Sequence, residues 1–196
     1  LQADHQSKYF QDLKKEYQYL SGKYNLDPLY NKQFQFFRLR PNNFPTIRIA
    51  QLANLYFMHK TLFSKVLNVK NLKDYYAIFS NGTSEFWNIH YTFNTISKRS
   101  VKSLTKPFID LLLINTIVPL LFVFGKRSVK WNEEKLFDLI KQIKPEKNNI
   151  IRELNKLNIN AKNAFETQAL LHLKSEYCDK HLCMQCAVGN VLLRKK

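Results

Sequence analysis

From Phe108 to Phe124 the chain reads Phe-Ile-Asp-Leu-Leu-Leu-Ile-Asn-Thr-Ile-Val-Pro-Leu-Leu-Phe-Val-Phe, and no other stretch limits its fold as strongly. So many consecutive large apolar side chains must leave water. A membrane span needs about 20 predominantly apolar residues. This run is shorter and contains Asp110, Asn115 and Pro119. It reads instead as a central helix wrapped by others, kinked at Pro119 and closed by Gly125. Lys126 and Arg127 then complement its carboxyl end.

Helical spacing recurs on both sides. Residues 3–24 set Tyr9, Phe10, Leu13, Tyr17 and Leu20 three and four apart, and Ser21-Gly22 is the expected stop. Leu29, Tyr30, Phe34, Phe36 and Phe37 suggest a second, well-buried element. Pro41 and Pro45 frame a rigid turn, and Pro45 suits the first turn of a helix buried through Ile47, Ala50 and Leu52 to Leu55. Two short helices follow, the second capped by Asn71 with Asp74 in its first turn. After the Asn81-Gly82 turn, Phe86, Trp87, His90, Tyr91 and Phe93 share a helical pattern. Asn132 is expected to cap a helix that Pro145 ends. Ile150, Ile151, Leu154 and Leu157 mark a short one, and Asn160 opens the last.

With 196 residues, 45% hydrophobic, the chain can bury one substantial core. Four glycines and six prolines are too few for a turn-rich β-sandwich. The expected fold is all-α, a single multi-helix domain over residues 1–196. Roughly eight to ten helices would pack around Phe108–Phe124, with a cysteine-containing clasp at 177–193.

The net charge is +16, from 31 basic and 15 acidic residues, which favours phosphate-rich partners or anionic surfaces. Lysine outnumbers arginine, as drift in an A/T-rich genome would also produce. Arg38, Arg40 and Arg48 cluster around the two prolines, where guanidinium forks could grip the phosphates of a nucleic acid. The plainer reading has them tie the turn down.

All three cysteines fall at the carboxyl end as Cys178-x4-Cys183-x2-Cys186, with His181 between the first two. Thiolates are soft ligands, so these residues with His181 form a candidate zinc or iron site. Cysteine is also a small hydrophobe that is often buried. A metal site, a disulfide pair and buried structural thiols are all compatible with the spacing, and the last reading leads.

His90, beside Trp87 and Tyr91, is a candidate acid/base group, set against a hydrogen-bonded core histidine. Glycine-rich phosphate loops, nucleophile elbows and metalloprotease histidine pairs are missing from the sequence. No self-contained catalytic constellation is therefore expected. The chain begins with Leu1, which suggests a piece of something longer, and few cysteines without a secretory signal suggest a reducing cytoplasm.

Three sets of segments carry a resemblance. The first is Arg40-Pro41-Asn42-Asn43-Phe44-Pro45-Thr46-Ile47-Arg48 with Ala50-Gln51-Leu52-Ala53. The second is Phe86-Trp87-Asn88-Ile89-His90-Tyr91 with Ile114-Asn115 and Pro119-Leu120-Leu121-Phe122. The third is Gln168-Ala169-Leu170, Leu173-Lys174, Tyr177-Cys178 and Cys183-Met184-Gln185-Cys186-Ala187-Val188-Gly189. Together they resemble the bacterial family DUF2851, a domain of unknown function, over about residues 37 to 193. The resemblance implies the family's carboxyl-terminal half. Its partner would be an amino-terminal half that looks like a metal-dependent nuclease core. Two functions follow as expectations. One is a basic helical module that binds nucleic acid. The other is a non-catalytic interaction domain supporting the other half through an exposed apolar patch among Tyr9, Tyr17 and Phe34 to Phe37.

Overall fold

The structure, a computed structural model, describes residues 7–28, 34–127 and 133–194. Leu29, Tyr30 and Asn132 lie outside the described residues. The rest is mostly helical with one two-stranded antiparallel hairpin, in agreement with the all-α class. The chain forms two compact units, residues 1–69 with 76–105 and residues 70–75 with 106–196. The sequence suggests one domain around Phe108–Phe124, and that run lies wholly in the second unit.

In the first unit α1 spans Lys8–Tyr24 and starts at Ser7, whose Oγ accepts from the Phe10 N–H at 3.3 Å. The helix runs through Ser21 and Gly22 and stops only at Asn25, which is left-handed at φ 49°. Asparagine tolerates that conformation better than most residues. Phe34 to Phe37 form no regular buried element, and Phe37 is 80% exposed. The residues Pro41–Asn43 make a single 3-10 turn, and α2 follows at Pro45–Met58 with Pro45 in its first position. Its buried face is Ile47, Gln51 and Leu55, whereas Leu52 is exposed.

Then come α3 (Leu62–Leu67) and α4 (Leu72–Phe79). Asn71 caps α4 through its Oδ1, 3.0 Å from the Asp74 N–H. The helix expected from Phe86 to Phe93 is cut short. Only α5 (Glu85–Asn88) forms, and β1 (His90–Thr92) pairs with β2 (Thr95–Ile96). Aromatic and β-branched residues favour such a pleated turn-back over a helix. Phe10, Ile47, Leu55, Val66, Phe79 and Trp87 are the unit's buried apolar residues. Tyr9 stacks on Phe86 at 4.3 Å and accepts a hydrogen bond from Trp87 Nε1 at 3.1 Å.

The second unit is built on α6, Lys106–Gly125, which buries Ile109, Leu113, Ile114, Ile117 and Leu121. A π turn over Leu113–Ile117 sits just before Pro119, where the Val118 N–H reaches back to the Leu113 carbonyl. That turn accommodates a proline that cannot donate, so the run stays one helix. Among the described residues α6 is the one helix long and apolar enough to cross a membrane, and 39% of that window is buried.

The helices α7 (Glu134–Gln142), α8 (Asn149–Lys156), α9 (Ala164–Leu173) and α10 (Ala187–Arg194) complete the unit. Asn148 and Asn163 cap α8 and α9 through their side-chain oxygens. The last long helix therefore begins at Asn163, not Asn160. A bond from the Ala164 N–H to the Ile143 carbonyl at 2.9 Å ties the start of α9 to the end of α7.

Candidate functional site

The Pro41–Asn43 turn, the first turns of α2 and the extended segment 101–105 enclose a cavity of about 350 Å³ in the first unit. Arg40, Arg48 and Lys102 line it, with Asn42, Asn43, Gln51, Ser103 and Thr105 supplying amides and hydroxyls. Every lining residue comes from two stretches, 34–69 and 86–105, and neither contains an Asp or Glu.

Arg48 organises the wall. One Nη donates to Asn43 Oδ1 at 2.6 Å and the other to Gln51 Oε1 at 2.9 Å. Gln51 is 4% exposed and passes the connection on, since its Nε2 donates to the Lys102 carbonyl at 2.9 Å. Arg48 is thus the tie of the plainer reading as well as a cavity residue. Arg40 is exposed and lines the same cavity. Arg38 does not. It adopts a left-handed conformation at φ 62°, with its guanidinium over the Phe37 ring.

Lys102 is 3% exposed, although it stands in a basic, polar stretch, Ser97-Lys98-Arg99-Ser100-Val101-Lys102-Ser103. Its Nζ donates to the carbonyls of Asn88 at 3.1 Å and Ser100 at 3.5 Å, and lies 4.3 Å from the centre of the Tyr91 ring. Burial pushes both the Lys102 ammonium and the Arg48 guanidinium below their ordinary values. The Lys102 ammonium is directed at Asn88, Ser100 and Tyr91, none of which lines the cavity.

His90 sits on β1, not on a helix. Its Nδ1 lies 2.8 Å from the Phe86 carbonyl, which can only accept, so Nδ1 carries the proton. Its ring stacks on Phe86 at 4.0 Å.

The three cysteines differ in burial. Among the described residues no group of three His, Cys, Asp or Glu is placed to hold a metal. Cys178 and Cys183 are exposed, and Cys186 is buried. His181 is taken up by the chain reversal after α9 and is left-handed at φ 55°. Its N–H bonds the Cys178 carbonyl at 3.1 Å, and the Leu182 N–H bonds the Tyr177 carbonyl at 2.9 Å. That pair of bonds is a Schellman closure, with His181 in the position usually held by glycine.

A second concavity of the first unit is apolar, about 470 Å³, between α1 and α2. Tyr9, Leu13, Tyr17, Ile49 and Trp87 are among its lining residues.

The family model described as a protein of unknown function, DUF2851, matches residues 1–149. The chain belongs to the DUF2851 family. Within this DUF2851 chain the match takes in both stretches that build the basic cavity. It includes the first two resembling sets and ends before the third, Gln168 to Gly189. No curated protein and no solved structure matches.

Proposed function

We propose that this DUF2851 chain is a nucleic-acid-binding helical module that grips phosphate at the basic cavity of its first unit. Net charge alone does not select this surface, because the excess of basic residues divides equally between the two units. The cavity carries the reading. Arg40 and Arg48 line it with the amide and hydroxyl side chains of Asn42, Asn43, Ser103 and Thr105, and none of the described residues that line it is an acid. Guanidinium forks and such donors suit phosphate oxygens. As the carboxyl-terminal partner of the family's other half, the module would present nucleic acid to it. The test is anisotropy with labelled single- and double-stranded oligonucleotides at low salt. Binding that weakens in Arg40→Ala is expected, and no binding of either strand form sinks the reading.

The apolar concavity between α1 and α2 supports the second reading, an interaction domain. Tyr9 and Tyr17 line it, while Ile49 is 51% exposed on its rim. A contiguous exposed apolar surface of this kind marks docking sites. Binding of an apolar fluorescent dye that Leu13→Asp abolishes would favour it. A groove that takes up no dye would remove its main support.

A further inference from the structure

We propose that Cys183 and Cys186 form a redox-active dithiol, reversibly oxidised by exchange with a low-molecular-weight disulfide, in which Cys183 attacks and Cys186 resolves. The site belongs to the second unit, so it does not depend on the basic cavity of the first.

The backbone brings the two thiols together. Cys183-Met184-Gln185-Cys186 is one turn, in which the Cys186 N–H reaches the Cys183 carbonyl at 3.3 Å and the Leu182 carbonyl at 3.1 Å. The first and last Cα atoms of such a turn lie within about 7 Å of each other. Disulfides bridge Cα atoms about 4.4–6.8 Å apart. A bridge here closes a loop of only four residues, so it restrains the unfolded chain far less than a long-range one would. Exchange, not support, is the use such a bridge has.

Exposure gives the two sulfurs different roles. Cys183 is exposed, whereas Cys186 is 7% exposed and immediately precedes α10. Only the first can meet a disulfide arriving from solution. The Gly189 N–H donates to Cys186 Sγ at 3.5 Å, which holds the second sulfur at the foot of the same turn.

The helix α10 fixes the turn in advance. Asn190 Nδ2 donates to the Met184 carbonyl at 3.3 Å, and the Asn190 N–H to the Cys186 carbonyl at 2.8 Å. Gly189 packs so closely on Cys183 that a Cβ would collide with the Cys183 carbonyl oxygen. Little order therefore remains to be created when the bridge closes.

Exchange runs in two balanced steps. The Cys183 thiolate attacks one sulfur of the entering disulfide, and the other sulfur leaves, takes a proton and becomes a thiol. Cys186 then gives up its proton, and its sulfur attacks Cys183 Sγ and expels the second thiol. The protein dithiol is oxidised to a disulfide while the entering disulfide is reduced to two thiols.

The test treats the full chain with glutathione disulfide under native conditions and maps the products by mass spectrometry without reduction. A Cys183–Cys186 bridge that reduced glutathione reopens is expected, with Cys178 outside it. In the Cys178→Ser, Cys186→Ser double variant, glutathione should stay trapped on Cys183. In the Cys178→Ser, Cys183→Ser double variant, the buried Cys186 should stay unmodified. A bridge to Cys178, or a parent chain that forms no internal bridge, overturns the inference whatever the variants do. A parent chain that reacts only after a chelator has removed a bound metal assigns these thiols to that metal and also overturns it. Modification of Cys186 as fast as Cys183 overturns the assigned order of attack.

Discussion

Arg48 Nη2 lies 2.6 Å from Asn43 Oδ1, joining the first turn of α2 to the turn that precedes it. Its other Nη reaches Gln51 at 2.9 Å, so one planar fork spans two acceptors. Lysine cannot reproduce that geometry. Asn43→Ala should cost about 1–2 kcal/mol, because it leaves a partly desolvated cation short of an acceptor. Arg48→Lys should cost a similar amount, about 1–2 kcal/mol. Urea midpoints for the two variants and the parent check this, and an Arg48→Lys protein as stable as the parent would contradict it.

Alkaline stability should report two buried groups with opposite signs. Burial holds Lys102 below its ordinary 10.5 and Tyr75 above its ordinary 10.0. Between the lowered Lys102 value and 10.5 the unfolded chain binds more protons, so this lysine makes stability rise with pH. Above 10.0 the folded chain keeps the Tyr75 proton that the unfolded chain releases, so stability falls. Unfolding across alkaline pH should lose the rise in Lys102→Met and lose the fall in Tyr75→Phe.

At the carboxyl end His181→Gly should leave stability unchanged or raise it by up to about 1 kcal/mol, since glycine carries no penalty in the left-handed conformation. A metal ligand would behave oppositely, with loss of stability and of one bound zinc or iron. Thermal unfolding together with metal analysis of the purified chain separates the two.

Gly189→Ala should destabilise α10 by about 1–3 kcal/mol, because a Cβ at that position collides with the Cys183 carbonyl oxygen. The carboxyl-terminal resonances should broaden, and an alanine variant with an unchanged spectrum would argue against the close approach.

The helices were legible where apolar spacing was long and regular, as in α1, α2 and α6. The stops were not. With only four glycines, chain reversals fall to left-handed Asn25, Asn158 and His181, whose type gives little warning. The hairpin after α5 was missed because Phe86, Trp87, His90 and Tyr91 fit a helical period as well as a short strand. In the candidate site, the cluster at Arg40 and Arg48 was visible from the two prolines. Lys102 was not, because a single lysine in a polar connector looks solvated until Asn88, Ser100 and Tyr91 close around it. The absence of acids from both contributing stretches was the available signal.

The salt dependence of oligonucleotide binding tests the central claim most directly. Phosphate contacts release counterions, so log K should fall linearly with log salt concentration. Removing one contacting cation should lower the slope by about 1. The wild-type chain is expected to bind at low salt with a steep slope, and Arg40→Ala to bind more weakly with a slope reduced by about that unit. Absence of binding, or identical slopes for the two proteins, would contradict phosphate capture at this cavity.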